Sequence, residues 1–133
     1  MTRRPIEALN LTLELPDGLV EQTTPDGASG LTFCFKAERA TRFMRCFSIQ
    51  RVPSLPEAGV ADWESELLAE TGTFYFRTEL RSGGSGGDIE DLEGYLVIDA
   101  HTFRVQAADQ EEYPGKPGAA WVIPIIRTVN YGE

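Results

Sequence analysis

The sequence predicts an α+β fold: an antiparallel sheet of six or seven strands packed on one main helix. Three observations carry that expectation. Apolar and polar residues alternate with period two in several separate segments, turn residues are spaced so that neighbouring segments form hairpins, and one segment repeats its apolar residues at helical spacing. With 133 residues, 41% hydrophobic and 25% charged, the chain is expected to fold as a single globular domain over residues 1–133.

Leu9, Leu11, Leu13 and Leu15 alternate with Asn10, Thr12 and Glu14, the pattern of a half-buried strand. Pro16-Asp17-Gly18 then supplies turn chemistry, as does the cluster from Pro25 to Gly30. Leu31, Phe33 and Phe35 share one face of a strand over Leu31–Ala37, and Phe43–Val52 is the next. The segment Glu38–Arg42 is short enough to make these two a hairpin. Centring it on Ala40 sets Phe33 opposite Phe47, Leu31 opposite Ile49 and Cys34 opposite Cys46, so independent residue pairs agree on one register.

Pro53 and Pro56 close that strand, and Val60, Trp63, Leu67 and Leu68 predict a helix over Val60–Thr71 ended by Gly72. Thr73–Arg81 reads as a strand with Phe74, Phe76 and Leu80 on one side. Residues 82–87, Ser-Gly-Gly-Ser-Gly-Gly, form a flexible connector of a composition also used in engineered linkers. Leu92–Ala108 holds two alternating runs, one with Leu92, Leu96 and Ile98 on a face, the other with Phe103, Val105 and Ala107. A final strand is expected over Ala119–Asn130, with Pro124 placing it at a sheet edge, where it could also pair with another copy.

Acidic residues outnumber basic ones by 21 to 12, for a net charge of −9, which argues against a nucleic-acid partner. The excess lies in residues 52–133, which carry −10 against +1 for residues 1–51. Trp121–Ile126, interrupted by Pro124, is far short of a membrane span. Glu7, Glu14 and Asp17 stand where a secretory leader needs apolar residues, so a cytoplasmic location is expected. In that reducing setting Cys34 and Cys46 are expected as two structural thiols.

Little in the sequence resembles a catalytic centre. His101 is the only histidine; Asp99 lies two residues before it and, on a continuous strand, would share its face with Tyr95 and Val97. That pair is half of a triad, but no nucleophile elbow accompanies it, so a small-molecule or enzymatic site at Asp99/His101 is the weaker alternative. Gly83–Asp88 matches a calcium nonapeptide repeat imperfectly and once, and Glu90 stands where that repeat needs an apolar residue. No metal site and no cofactor are expected.

Two acidic knots remain, one with Asp62, Glu64, Glu66 and Glu70, the other with Asp88, Glu90, Asp91 and Glu93. A small acidic α+β domain without a catalytic constellation resembles the immunity proteins that bacteria pair with toxins. On that resemblance Glu64, Glu66, Glu70, Asp88, Glu90, Asp91 and Glu93 would face a basic toxin and occlude its active site. Trp63 and Trp121 would join them as anchors if exposed beside the knots.

Leu13-Glu14-Leu15-Pro16-Asp17-Gly18, followed by Gln22-Thr23 and the strand Leu31–Phe35, also resembles the opening of PsbP-like domains. The likeness covers about the first 35 residues, with Leu19 standing where that family usually has an aromatic and no second helix evident. Its bacterial branch includes chaperones that load type VI secretion effectors. The resemblance therefore implies an antiparallel sheet with flanking helices and an apolar groove for a partner helix.

Overall fold

A computed structural model describes residues 2–22, 30–35, 42–68, 72–82, 87–111 and 116–132. The strands are β1 (Thr2–Ile6), β2 (Leu11–Leu15), β3 (Leu19–Gln22), β4 (Gly30–Phe35), β5 (Arg42–Val52), β6 (Glu64–Leu67), β7 (Gly72–Arg81), β8 (Asp88–Ile98), β9 (His101–Glu111) and β10 (Asn130–Tyr131). A 3-10 turn, Ala119–Val122, runs directly into the short helix α1, Ile123–Ile126. All strand pairs are antiparallel, in a seven-stranded sheet ordered β3-β4-β5-β9-β8-β7-β6 and a three-stranded sheet ordered β1-β2-β10. The expected α+β sheet protein is there, but its helical part is smaller than expected.

The core lies between the large sheet and a second layer made by β1, β2 and the 119–126 segment. Phe33, Phe47, Ile49, Phe74, Leu92, Leu96, Phe103 and Val105 come from the sheet; Leu11, Leu13, Ala119, Val122, Ile125 and Ile126 come from the opposing layer. The alternation read from Leu9 to Leu15 predicts this burial, since Leu9, Leu11, Leu13 and Leu15 are all buried. Leu9 itself belongs to a 3-10 turn, Glu7–Leu9, that ends on Asn10 with φ 57°. Gly18 adopts φ 89° in the turn between β2 and β3, a conformation that only glycine enters without steric cost.

The β4–β5 hairpin has the expected register: Leu31 opposes Ile49, Phe33 opposes Phe47 and Cys34 opposes Cys46. Its turn, like the cluster over 25–29, lies outside the described residues. The two cysteines are not thiols but a disulfide, with Cα atoms 4.1 Å apart. The general spacing of cross-strand side chains is slightly too wide for a bridge, but this pair is of the closely set kind, and its backbones approach nearer still.

Two expected elements are replaced. The helix expected over Val60–Thr71 is absent from its described part, residues 60–68: Glu64–Leu67 is an edge strand on β7, Leu67 is 84% exposed, and Gly72 opens β7 instead of capping a helix. The free edge of β7 offers backbone partners to that segment, and Trp63 is held by Tyr95 rather than by a helix face. Conversely, the expected strand over Ala119–Asn130 is helical in its first part, and only Asn130 joins a strand, β10. Ala119, Val122, Ile125 and Ile126 bury at helical spacing, and Pro124 sits in the first turn, where its missing N–H costs nothing. A short apolar run satisfies both periods, and packing decides between them.

Two carboxylates fix the start of this helical segment. Asp109, fully buried, accepts the Gly118 N–H through Oδ2 at 2.8 Å and lies 3.5 Å from Arg45 Nε through Oδ1. Glu90 accepts the Ala119 N–H at 2.8 Å. These bonds from β9 and β8 satisfy helix-terminal donors that no local cap reaches. At the other end the Thr128 hydroxyl donates to the Ile125 carbonyl at 2.6 Å and accepts the Glu14 N–H at 2.8 Å, tying the segment to β2.

Gly94 marks the closest approach in the sheet. A Cβ there would lie 2.5 Å from Phe74 Cε1 and 3.0 Å from the Tyr75 carbonyl oxygen, and Phe74 is fully buried and has nowhere to move. Gly94→Ala is expected to destabilise the fold by about 1–3 kcal/mol through overpacking. Urea unfolding measures this, and an unchanged midpoint would show that Phe74 can shift after all.

Candidate functional site

The core covers one face of the seven-stranded sheet; the other face carries the side chains of alternate residues and is the candidate site. On β8 the two-residue period sends Leu92, Leu96 and Ile98 to the core and Asp91, Glu93 and Tyr95 to the open face. On β9 it sends Phe103 and Val105 inward and Arg104 and Gln106 outward. β7 contributes Tyr75, Arg77, Glu79 and Arg81 by the same rule.

An ordered ladder of charge and aromatic contacts runs across this face. Glu93 is bridged by two guanidinium groups: Arg77 Nη2 donates to Oε1 and Arg104 Nη2 to Oε2, each at 3.0 Å. Arg77 also stacks over the Trp63 ring at 4.3 Å, and Trp63 rests on Tyr95 with ring centroids 5.5 Å apart. Arg81 bonds Asp91 through Nε at 2.5 Å. Beside the ladder is an open depression of about 510 Å³ lined by Thr32, Ser48, Glu93, Arg104 and Gln106, with the disulfide's Cys46 at its wall. Arg104 Nε is buried there with no hydrogen-bond partner. A surface of this kind can bind a polar, neutral or mixed-charge partner through arginine and aromatic anchors.

The structure disperses the acidic knots. Asp91 and Glu93 share the open face, but alternation turns Glu90 to the other side, where it caps the helical segment, and Asp88 is exposed at the start of β8. Glu64 and Glu66 lie on the edge strand β6, not on a helix; Glu64 is exposed, and Glu66 accepts two hydrogen bonds from Arg127, each at 2.8 Å. Glu70 and residues 83–86 of the glycine-rich connector lie outside the described residues. Trp63 is half-buried on the open face; Trp121 is on the core side, edge-on to Phe47 with its indole N–H aimed at the Ala108 carbonyl, 3.4 Å away. The arginines were missed because pairing Arg77 with Glu93 requires a hairpin centred on Ser85, and a run of glycines and serines leaves that register open.

Asp99 and His101 do not form a shared face. Asp99, with φ 54°, belongs to the tight turn that joins β8 to β9, and this reversal places His101 opposite Ile98, on the core side, while Tyr95 and Val97 stay on the other. The His101 ring stacks on Tyr131 at 4.5 Å and its Nδ1 meets Arg51 Nη2. Among the described residues no cluster of three or more His, Cys, Asp or Glu is placed to hold a metal ion, and no helix is long and apolar enough to cross a membrane. The exposed large apolar side chains among them, Val20, Leu67 and Leu80, lie on different strands and make no groove of the kind the PsbP-like resemblance implies.

The fold is similar to a crystal structure from Bacteroides thetaiotaomicron VPI-5482, with a TM-score of 0.61 at 10% sequence identity. The superposition covers 98% of this chain and 48% of the other, so this chain spans about half the length of that structure. No curated protein matches the sequence. A family match is found over residues 12–130, to the type six secretion immunity 3 domain; this match does not show the PsbP-like likeness.

The Glu66–Arg127 pair, which ties the edge strand β6 to the residue after α1, gives the fold a defined acid response. The Arg127 hydrogen bonds hold the Glu66 carboxyl below its ordinary value of 4.5, against a smaller opposing effect of burial. A depressed carboxyl contributes stability above its unfolded value and loses it as pH falls through the folded one. Glu66→Gln should therefore lower the melting temperature slightly at neutral pH, with the difference from the parent shrinking as acid takes the pH below the ordinary carboxylate range. A difference that persists in acid would assign the effect to packing instead.

Proposed function

The chain belongs to the type six secretion immunity 3 domain family, and from that premise we propose that it binds a cognate toxin through the open face of its seven-stranded sheet and neutralises it by covering the toxin's active site. Membership places it among immunity proteins, a binding class and not an enzyme class. The observation that carries the choice of face is the ladder Trp63–Arg77–Glu93–Arg104. Tryptophan, tyrosine and arginine are the residues that dominate binding energy at interfaces, and here they are pre-positioned by their own contacts. Asp91 and Glu93 lie within that face; Glu64 and Asp88 are exposed on neighbouring strands, and a net charge of −9 favours encounter with a basic partner. Glu66 and Glu90 act within the fold, through Arg127 and the Ala119 N–H, and contribute less to the contact.

The disulfide supports an oxidising compartment, such as the periplasm, over the cytoplasm expected from the sequence. The toxin would then be met where it acts on the cell envelope or its precursors. Acid-quenched alkylation of cells producing the protein separates the two: Cys34 and Cys46 should resist modification until reductant is added, and free thiols in unreduced extract would return the protein to the cytoplasm.

Binding is measured with the cognate toxin. Trp63→Ala is expected to weaken affinity by about 2 kcal/mol or more, roughly 30-fold, mainly through faster dissociation. Glu64→Lys with Asp88→Lys should instead slow association and flatten its salt dependence. Full affinity in the Trp63 variant would move the toxin to another face of the molecule.

A further inference from the structure

A second interaction surface lies on the edge of β7. β6 covers that edge only from Thr73 to Phe76, where it sets Leu67 and Glu64 against them. From Arg77 onward no strand runs beside β7 on that side among the described residues, and residues 77–82 are all exposed. The backbone N–H and C=O groups of such an edge are an open template for another strand. Leu80, 61% exposed, is an apolar side chain in the middle of it.

The side chains of this edge are self-complementary. Glu79 stands directly opposite Asp91 on β8, a like-charge pair that is unfavourable in a sheet, and Arg81 beside it already bonds Asp91. An antiparallel second copy with its two-fold axis at Leu80 places Arg81 of each copy opposite Glu79 of the other. It also sets Leu80 against Leu80 and Thr78 against Ser82. Moving the axis to Glu79 sets Glu79 against itself and Arg77 against Arg81, both repulsive. Moving it to Thr78 brings Phe76 opposite Leu80, where β6 already sits. Moving it to Arg81 sets Arg81 against itself, so among the axes from Thr78 to Arg81 only Leu80 is free of conflict.

We infer that two copies of this chain associate edge to edge through residues 78–82 of β7 with the axis at Leu80, joining their large sheets into one. The contact is isologous and closed by its two-fold axis, so it makes dimers and not fibres. Its strands are short, below the area of a standard interface, so the association is weak and depends on concentration. It is independent of the toxin and leaves Trp63 and Glu93 on the open face.

Cysteine cross-linking reads the register directly. Leu80→Cys faces its own copy across the axis, whereas Leu67→Cys, at an even more exposed site on β6, does not. Under a mild oxidant, Leu80→Cys is expected to form covalent dimers about tenfold faster than Leu67→Cys, because pairing raises the local concentration of the two thiols. Sedimentation of the parent should show dimer growing with concentration, and Leu80→Lys should abolish it while keeping the parent's melting temperature. Equal cross-linking rates, or a parent that stays monomeric at every concentration, would overturn the inference. So would protection of this edge from amide exchange by the toxin without any self-association, which would assign the edge to the toxin.

Discussion

A sheet covered on one side must alternate apolar and polar side chains along every strand that crosses it, and most of this structure follows from how that alternation falls on β8 and β9. Leu92, Leu96, Phe103 and Val105 turn inward, and the intervening residues are committed to the open face. The same rule splits an acidic stretch that looks continuous in sequence. Glu90 becomes part of the fold, while Asp91 and Glu93 become part of a surface. Charge density along a chain is therefore a poor guide to charge density on a strand-built face. The arginines of neighbouring strands decide what the carboxylates present.

The helical segment shows how tertiary contacts stand in for local signals. Nothing within residues 116–118 caps it by side chain, and the capping carboxylates arrive from the sheet instead, Asp109 from β9 and Glu90 from β8. A fully buried aspartate is costly unless it is bonded; here it accepts a backbone N–H and pairs with Arg45, which in turn lies over Trp121. The arrangement fixes the segment over the core, so the polar network positions an apolar layer.

Much of the sheet was legible. The β4–β5 register follows from the coincidence of Phe33 with Phe47 and Leu31 with Ile49, and the faces of β2, β8 and β9 follow from period two alone. What was not legible depends on partners distant in sequence. Val60–Leu68 carries a helical pattern but is captured by the vacant edge of β7, and Glu66 is fixed by Arg127, far along the chain. Trp121–Ile126 fits both periods, and packing in the core together with the caps from Asp109 and Glu90 selects the helix. The candidate site was half visible. Asp91 and Glu93 were found as acids, and Trp63 as a conditional anchor, but Arg77 and Arg104 needed a register that the glycine-rich connector conceals.

The bridge between Cys34 and Cys46 gives the large sheet a direction. On its side, β4 is covalently fastened to β5, so opening that starts at the edge strand β3 stops at β4. On the far side, β6 is a short strand whose side-chain anchors are Glu66 with Arg127 and the neighbouring Trp63 with Arg77. Opening that reaches the inner strands is therefore expected to travel from the β6 border, where no covalent bond stops it. The outermost strand β3 lies beyond the bridge and can open as β6 can, but the wall of the depression beside the disulfide stays in place while either border breathes.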